Sequence, residues 1–456
     1  MTGKTIETLG PGEARCPGLS TRDIVMADAA APPGEFMADH YEFMGSDDVS
    51  YDAYLSPDYA RREEERMWSK VWQMACRLEQ IPSPKDFIVY DIADTSVLVV
   101  RQNDGGVKAF INSCRHRGMQ LAKSEARGHA AVIRFPFHDW TWDTKGELMA
   151  IPCSWDFPHA DKAAFGLDAV HVDMWGGFVF ISLAEAPSPL RDYLEVIPDL
   201  DLPLPMERRH IAYHVQKVLP ANWKIAAEAF LEAYHVLATH PEGLAFAGDA
   251  NCQYDVYGKN VTRFLHTIGF RSPHLVGEGN EAEILQGIGG GAAGLSLRPG
   301  ERARDVWADH LRGAMGQQLG VDLSAVSTTQ MMDSIEYFCF PNFFFFPGLT
   351  FPMVYRFRPV AGKVDEAIFD LYFLKPTPEG QDAPAAPETV YLGPEDRFIE
   401  APGMDARLGY IYDQDVENLR QQTRGIKSSR KPGQTLGNYQ EIRIRRMRET
   451  LAGYVG

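Results

Sequence analysis

One stretch of the sequence, residues 222–240, limits the possible folds of this chain more than any other. It reads NWKIAAEAFLEAYHVLATH and is followed directly by a proline. Glu228, Glu232 and His235 recur at intervals of four and three residues, which places their side chains on one face of a predicted helix. A residue before proline is disfavoured in the α region, so the helix is predicted to end near His240 and to turn that imidazole back toward His235. Two imidazoles with nearby carboxylates are typical of an iron site with open positions, and the alternative is a buried helix with hydrogen-bonded histidines.

Composition limits the classes of protein to which the chain can belong. Its 456 residues favour two domains, and the hydrophobic share of 45% with a mean hydropathy of -0.26 is typical of a soluble globular protein. A net charge of -17 argues against nucleic acid or an anionic membrane as a partner. The six cysteines are dispersed, and the first forty residues contain no apolar signal segment, so we expect a cytoplasmic location.

The chain divides into four predicted segments, and its predicted fold class is α+β. Residues 1–50 are expected to form a loosely ordered extension, and residues 51–80 a helical lead-in that contains a helix over 57–71. Short β-branched runs predict an all-β domain over residues 81–183. A boundary rich in alanine and proline follows, and residues 190–456 are expected to form an antiparallel sheet around long helices. The helices predicted there besides 222–240 span 304–316 and 415–423, and the predicted strands span 252–257, 261–269, 336–346, 351–359 and 366–374.

Two motifs in the all-β segment carry a family resemblance. The first reads AFINSCRHRG and contains Cys114 and His116, and the second reads FPFHDW and contains Phe135, His138 and Asp139. Together with HDWTWDTKGEL, WGGFVFISL and the NWK…E…E..YH….H stretch, they make the chain resemble the large subunit of Rieske non-haem iron oxygenases of the aromatic-ring-hydroxylating type. The resemblance covers the chain from about residue 51 onward.

The resemblance implies an N-terminal Rieske-type domain and a C-terminal helix-grip catalytic domain. In that family a [2Fe–2S] cluster takes one Cys and one His from each of two loops. Cys114, His116 and His138 match this pattern, but Phe135 replaces the second cysteine and Asp139 replaces the usual glycine. The chain is therefore expected to hold an incomplete cluster site, which either lacks the cluster or recruits another ligand. The nearest spare candidates in sequence are Cys153 and His129.

The resemblance also assigns the mononuclear iron site. It implies that His235 and His240 bind iron together with a carboxylate near the C-terminus. Asp415 falls where the family has its ligand, and Asp413 is the rival, although helix capping would explain either aspartate.

Two further residues are predicted to contribute to this site. By resemblance, Glu232 links the mononuclear site to the cluster of a neighbouring subunit in a trimer, and the alternative is a solvated or ion-paired acid. Asn222 is expected either to lie near the iron or to cap its helix.

The predicted function is O₂-dependent hydroxylation, dioxygenation or demethylation of an apolar substrate that contains a ring, as in the catabolism of aromatic hydrocarbons. The phenylalanines over 338–346 are candidates for the pocket wall, although core packing also explains them. A ferredoxin or reductase would supply electrons, and the incomplete cluster motif predicts a hetero-oligomer in which another oxygenase subunit relays them. The alternative is a non-catalytic or ligand-binding homologue that assembles with an active alpha subunit.

Overall fold

The computed structural model describes residues 9–134, 136–277 and 279–456. Its N-terminal part was expected to be loosely ordered, but within residues 9–50 it packs on the catalytic half. Asp28 is buried, and its carboxylate accepts hydrogen bonds of 2.7 and 2.8 Å from the buried Arg304 guanidinium. The elements that precede the first large sheet are α1 (Thr21–Met26), β1 (Val49–Ser50), α2 (Asp52–Leu55), α3 (Pro57–Glu63) and a π-helical turn (Glu64–Trp68).

The all-β domain contains two sheets. Its strands are β2 (Trp72–Arg77), β3 (Asp86–Ile92), β4 (Thr95–Arg101), β5 (Val107–Ile111), β6 (Arg127–His129), β7 (Ile133–Arg134), β8 (Thr141–Trp142), β9 (Leu148–Ala150), β10 (Ala169–Trp175) and β11 (Phe178–Ser182). One sheet has the order β2-β11-β10-β5-β4-β3-β6, and the other has the order β7-β8-β9. Because β2 pairs with β11, the domain begins ahead of the predicted start at residue 81.

The WGGF sequence shows how local residues determine this topology. Trp175 pairs with Phe178 across the β10–β11 hairpin, so Gly176 and Gly177 are the two central turn residues. Both have positive φ, at 57° and 80°, as a primed hairpin turn requires. Glycine adopts this conformation without steric cost, so the sequence specifies the turn.

The catalytic half contains the large sheet that the sequence predicts. Its elements are α4 (Leu190–Tyr193), β12 (Arg209–Leu219), α5 (Trp223–Glu228), α6 (Val236–Thr239), β13 (Gln253–Val256), β14 (Val261–His266), α7 (Glu281–Gly287), α8 (Ala303–Leu319), α9 (Thr328–Met332), β15 (Ser334–Cys339), β16 (Phe343–Phe345), β17 (Met353–Val360), β18 (Lys363–Pro376), β19 (Val390–Leu392), α10 (Ala406–Ser428), β20 (Gly433–Gln434) and α11 (Ile442–Val455). The sheet order is β13-β14-β15-β16-β17-β18-β12-β19, and β20 pairs with β1. The large sheet is antiparallel except for its edge strand β19, which pairs with β12 in parallel. Short 3₁₀ turns span Gly34–Phe36, Leu78–Gln80, Ser154–Asp156, Lys162–Phe165, Ile197–Asp199, Met206–Arg208, Pro241–Gly243 and Phe398–Glu400.

Several predicted elements differ in extent from the observed ones. The helix predicted over 57–71 is α3 followed by the π-helical turn, and the strand predicted over 336–346 is the hairpin of β15 and β16. The helix predicted over 415–423 lies inside the much longer α10, which Asp405 caps by accepting hydrogen bonds from the backbone of Arg407 and Leu408. The sequence interpretation missed α11 altogether.

A buried charge network joins the two halves of the chain. The Asp370 carboxylate on β18 accepts hydrogen bonds from Arg356 (2.9 Å) and Arg358 (3.2 Å), both on β17. Arg358 also donates to the carbonyl of Asp91 on β3 at 2.7 Å, and Arg356 donates to the carbonyl of Ala75 on β2. Buried arginines require such partners, so the network fixes the β domain against the catalytic sheet.

Candidate metal centre

Three side chains predicted as iron ligands meet at one point in the catalytic half. The ligand atoms of His235, His240 and Asp415 all lie within 4.8 Å of one another. Asp415 Oδ1 is 3.1 Å from His240 Nε2 and 3.8 Å from His235 Nε2. The side chains of Asp415 and His240 are 8% and 12% exposed and that of His235 is 26% exposed, so the site is partly buried and opens to solvent mainly at His235. Two imidazoles and one carboxylate that face a common point form a donor set suited to non-haem iron.

The backbone around these histidines is not the continuous helix that the sequence predicts. Helix α5 ends at Glu228 and α6 begins at Val236, so the chain unwinds between them. In this gap the Glu232 carboxylate accepts hydrogen bonds from His235 Nδ1 at 2.7 Å and from the His235 backbone N–H at 2.9 Å. The unwound backbone lets one carboxylate bind both groups, which fixes the imidazole with Nε2 toward Asp415.

Glu228 does not share a face with Glu232 and His235, so that prediction is wrong. Its buried carboxylate instead accepts hydrogen bonds from the Tyr54 hydroxyl at 2.8 and 2.9 Å and from the Gln434 amide at 3.3 Å. The helical spacing fails because the helix ends at Glu228. Glu228 therefore joins α5 to the N-terminal and C-terminal parts of the chain.

The second histidine has its own hydrogen-bond partner, which the sequence interpretation missed. His240 Nδ1 lies 2.9 Å from the Gln414 amide oxygen, and Gln414 directly precedes Asp415 on α10. An amide oxygen only accepts, so Nδ1 must donate and Nε2 is left to face the metal position. The sequence indicated this role of Gln414 only through its position next to the candidate ligand Asp415.

Asp413 and Asp415 occupy different environments. Asp413 accepts hydrogen bonds from the backbone of Phe398 (2.7 Å) and Ile399 (3.3 Å) and forms an ion pair with Arg397 at 3.3 Å. Both aspartates lie inside α10, so neither caps it. Asp415 lies with the two histidines, whereas Asp413 binds the backbone of the 3₁₀ turn Phe398–Glu400 that precedes α10.

The carboxylates control the charge of the histidines. Burial alone would lower the pKa of His235, but the negative charges of Glu232 and Asp415 raise it to about 9. Burial likewise disfavours the charged form of His240, while Asp415 and Gln414 raise its pKa above the ordinary value. The site therefore attracts positive charge, and a metal cation would replace the protons.

Asn222 lies apart from this group. Its side-chain oxygen caps α5 by accepting a hydrogen bond from the Lys224 backbone at 3.0 Å. Its side-chain nitrogen donates to the carbonyls of Tyr54 (3.1 Å) and Val364 (2.7 Å). These bonds correspond to the capping alternative rather than to a position beside the iron ligands.

The all-β domain brings together part of the second predicted metal site. The His116 and His138 rings lie 4.7 Å apart at an interplanar angle of 76°, and His116 stacks on Trp140 at 5.0 Å. Cys114 is buried. Asp139 has a φ of 61°, a left-handed conformation that aspartate tolerates better than most residues. Phe135 lies outside the described residues.

Comparison with protein-family models shows to which family the chain belongs. A model described as the ring hydroxylating alpha subunit (catalytic domain) matches residues 205–456, more than half of the chain. The chain belongs to the ring-hydroxylating alpha-subunit family. A second model, described as the Rieske [2Fe-2S] domain, matches residues 71–160. The predicted family and the predicted α+β fold with an N-terminal Rieske domain are thereby confirmed.

Curated relatives of this alpha subunit match over part of their length. The glycine betaine monooxygenase oxygenase subunit of Pseudomonas aeruginosa is 36% identical over 180 residues, which is 39% of this chain and 41% of the relative. The chlorobenzene dioxygenase alpha subunit of a Cupriavidus species is 34% identical over 198 residues, or 42% and 44% of the two chains. The chain thus matches about two fifths of the length of these relatives.

Solved structures share the fold of this alpha subunit over most of the chain. The quaternary ammonium Rieske monooxygenase CntA in complex with L-carnitine has a TM-score of 0.60 at 18% identity, covering 90% of this chain and 96% of CntA. Naphthalene 1,2-dioxygenase from a Rhodococcus species has a TM-score of 0.59 at 19% identity, covering 90% and 94%. Within the described residues, no helix is long and apolar enough to cross a membrane.

The two family models imply a mononuclear iron and a [2Fe–2S] cluster, and the chain fits these two groups unequally. His235, His240 and Asp415 supply a complete donor set for the mononuclear iron. For the cluster, the sequence supplies Cys114, His116 and His138, but the side chain at position 135 is a phenylalanine that has no donor atom. One iron of a Rieske cluster needs two thiolates, and the two motifs supply only the thiolate of Cys114, so they are one ligand short of a complete cluster site.

Proposed function

We propose that this protein is an oxygenase subunit that uses O₂ to hydroxylate, dioxygenate or demethylate a small organic substrate. The observation that carries the proposal is the convergence of His235, His240 and Asp415. Ferrous iron held by these three side chains would supply the redox chemistry of O₂. Glu232 and Gln414 hold the two imidazoles, so that both Nε2 atoms face the metal position.

An aromatic cluster beside the metal centre supports an apolar or cationic substrate. Tyr412 lies one turn before Asp415 on α10, and its hydroxyl is 2.9 Å from that of Tyr355. The Phe230 ring packs 5.2 Å from Tyr355 and 6.4 Å from Tyr412. Such rings exclude water from apolar compounds, and their faces attract quaternary ammonium groups. We therefore propose ring compounds and quaternary ammonium compounds as the two substrate classes.

The source of electrons is the second part of the proposal. Because Phe135 leaves this chain's cluster site incomplete, we propose that a second oxygenase chain with a complete cluster delivers electrons within a hetero-oligomer. Inter-subunit electron transfer is described for a quaternary ammonium Rieske monooxygenase whose solved structure shares this fold. Both Glu232 oxygens bind His235, and 10% of the Glu232 side chain is exposed, so a small part of it remains open toward a neighbour. A ferredoxin or reductase would feed that second chain.

The test combines metal analysis with turnover. We expect one iron and no acid-labile sulfide per chain in the purified protein, and no Rieske signal in the electron paramagnetic resonance spectrum after reduction. Oxidation of glycine betaine and of naphthalene is then measured with a reductase and the copurifying oxygenase chain. His235→Ala should abolish product formation while leaving the fold unchanged. Product formation that His235→Ala does not reduce would refute the proposal.

A second candidate is a non-catalytic subunit that assembles with an active alpha subunit, and Phe135 is again the observation that favours it. This subunit would keep the fold and contribute no chemistry. It predicts that the complex retains full turnover when this chain carries His235→Ala. The same mutant therefore separates the two candidates.

A further inference from the structure

A tertiary hydrogen bond replaces the helical one at Ala233, within the unwound segment between α5 and α6. In an α-helix each backbone N–H donates to the carbonyl four residues earlier, which for Ala233 is that of Ala229. In the structure the Ala233 N–H instead donates to the Tyr254 hydroxyl on β13 at 2.9 Å. Tyr254 is buried, and its hydroxyl donates in turn to the Gln440 amide oxygen at 3.3 Å. The acceptor that draws Ala233 out of the helical pattern therefore comes from a different element of the fold.

The Leu231 carbonyl is the second backbone group that is released from the helical pattern. In a continuous helix it would accept a hydrogen bond from the His235 N–H, which here donates to the Glu232 carboxylate. The Arg443 guanidinium on α11 donates to this carbonyl at 3.3 Å. Arg443 is buried and also donates to the Glu336 carboxylate at 2.7 Å. Because this ion pair holds the guanidinium independently, Arg443 offers the Leu231 carbonyl a fixed donor.

The two tertiary contacts lie on either side of Glu232. The Leu231 carbonyl belongs to the peptide group that precedes Glu232, and the Ala233 N–H belongs to the peptide group that follows it. Each peptide group is planar, so the backbone conformation of a residue is set by the orientations of its two peptide groups. Arg443 holds the first of these groups and Tyr254 holds the second. Together they determine the direction in which the Glu232 side chain leaves the backbone.

Both holding side chains pack against the same ring on β14. The Phe264 ring centroid lies 6.5 Å from that of Tyr254, and the guanidinium carbon of Arg443 lies over the Phe264 ring at 5.1 Å. Ala233, Tyr254 and Phe264 belong to one buried apolar cluster. Close packing of this kind keeps side chains in single rotamers. The two partners of the unwound segment are therefore rigid.

We propose that Tyr254 and Arg443 are positioning residues of the metal centre, which hold the Glu232 backbone so that its carboxylate meets His235 Nδ1. The proposal rests on the proposed function, because it gives Glu232 the task of orienting an iron ligand. The Glu232–His235 hydrogen bond of 2.7 Å leaves Nε2 facing Asp415. If the segment rewound into a helix, the His235 N–H would return to its helical acceptor. The Glu232 carboxylate would then lose one of the two donors that fix it.

The first test is structural and does not depend on iron. Crystal structures of the metal-free, full-length protein are compared for the wild type and Tyr254→Phe, which removes the hydroxyl and keeps the ring. In the variant the Ala233 N–H should turn back toward its helical acceptor, because a buried donor needs a partner. The Glu232 carboxylate should then lie beyond hydrogen-bond distance of His235 Nδ1. An unmoved Ala233 together with an intact Glu232–His235 hydrogen bond would overturn the proposal.

The second test measures metal binding by anaerobic titration of the full-length protein with ferrous iron. Tyr254→Phe should lower the affinity about tenfold, at the lower end of the roughly 10–100-fold found for outer partners of metal-binding histidines. Titration with Co²⁺, whose visible absorption depends on coordination geometry, should give an altered spectrum in this variant. Arg443→Lys keeps a positive charge beside Glu336 but loses the planar fork that also reaches the Leu231 carbonyl. Its affinity for ferrous iron should fall by a similar factor.

The matched control is Tyr439→Phe. The Tyr439 hydroxyl also accepts a hydrogen bond from a backbone N–H, that of Tyr254 at 3.2 Å, so this variant removes the same kind of contact from β13 instead of from the unwound segment. It should leave the iron affinity and the Co²⁺ spectrum unchanged. Unchanged affinity in Tyr254→Phe or Arg443→Lys would refute the assignment of that residue, and an equal loss in Tyr439→Phe would refute both. If the wild type binds no iron, the proposed function fails, while the metal-free crystal structures still decide this inference.

Discussion

The Gln414 amide oxygen lies 2.9 Å from His240 Nδ1, so the residue before the candidate ligand Asp415 orients another candidate ligand. Removing this acceptor should free the imidazole to rotate. We expect Gln414→Leu to lower the affinity for ferrous iron roughly ten- to hundredfold, as for other outer partners of metal-binding histidines. Gln414→Glu keeps an acceptor and serves as the control. Titration with ferrous iron under anaerobic conditions measures the effect, and equal affinities in the two variants would contradict the assignment.

A paired substitution tests which aspartate is the third ligand. Asp415→Ala removes a carboxylate that lies 3.1 Å from His240 Nε2, so iron binding should fall more than in any Gln414 variant. Asp413→Ala should keep one iron per chain but destabilise the fold by about 1–3 kcal/mol, because the Phe398 N–H loses its acceptor. Iron analysis and urea unfolding separate the two effects. Iron loss in Asp413→Ala with retention in Asp415→Ala would reverse the assignment.

Sequence spacing predicted that His235 and His240 lie together around a helix end, whereas Asp415 was assigned to them only through the family resemblance, with Asp413 as its rival. Spacing did not predict the unwound segment at Glu232. The residues there include alanine, leucine and glutamate, which are strong helix formers, so local propensity favours a continuous helix. The two hydrogen bonds from His235 to Glu232 that stabilise the break are local, but the Ala233 N–H within it donates to the Tyr254 hydroxyl at 2.9 Å, a partner that only the tertiary structure brings close.

Buried arginines explain why the sequence interpretation did not predict helix α11. Helix α11 reads IRIRRMRETLAGYV, and its charges suggest an exposed segment. In the structure Arg443 is buried and donates to the Glu336 carboxylate at 2.7 Å and to the Thr262 hydroxyl at 3.0 Å. The partners are more than a hundred residues away in the chain, so no local pattern could reveal them.

The Asp370 network predicts a specific dependence of stability on pH. Burial alone would raise the pKa of Asp370, but Arg356 and Arg358 hold it well below its usual range. The folded form therefore retains the charge at pH values where the unfolded chain, with a pKa of about 3.9, binds a proton. Its stabilisation is present above pH of about 4 and is lost as pH falls further.

Asp370→Asn should accordingly cost about 3–5 kcal/mol at neutral pH, because it leaves buried guanidinium groups without their carboxylate. The free energy of unfolding of the variant should also fall less steeply below pH of about 4 than that of the wild type. Asp58→Asn, at an exposed ion pair with Arg61, is the control and should change stability by less than about 1 kcal/mol. Equal acid slopes for wild type and Asp370→Asn would contradict the assignment.

Phe135 gives the last prediction. If the missing thiolate is the reason that the chain lacks its own cluster, Phe135→Cys should complete the ligand set with Cys114, His116 and His138. Asp139→Gly is combined with it, because Asp139 has a φ of 61°, which glycine adopts more easily. We expect the double variant, after reconstitution with iron and sulfide, to be brown, to contain acid-labile sulfide and to show a Rieske signal when reduced. Asp139→Gly alone is the matched control and should stay colourless. A Rieske signal in the wild type would show that the chain holds its cluster with another ligand, and the proposed dependence on a second chain's electrons would then be wrong.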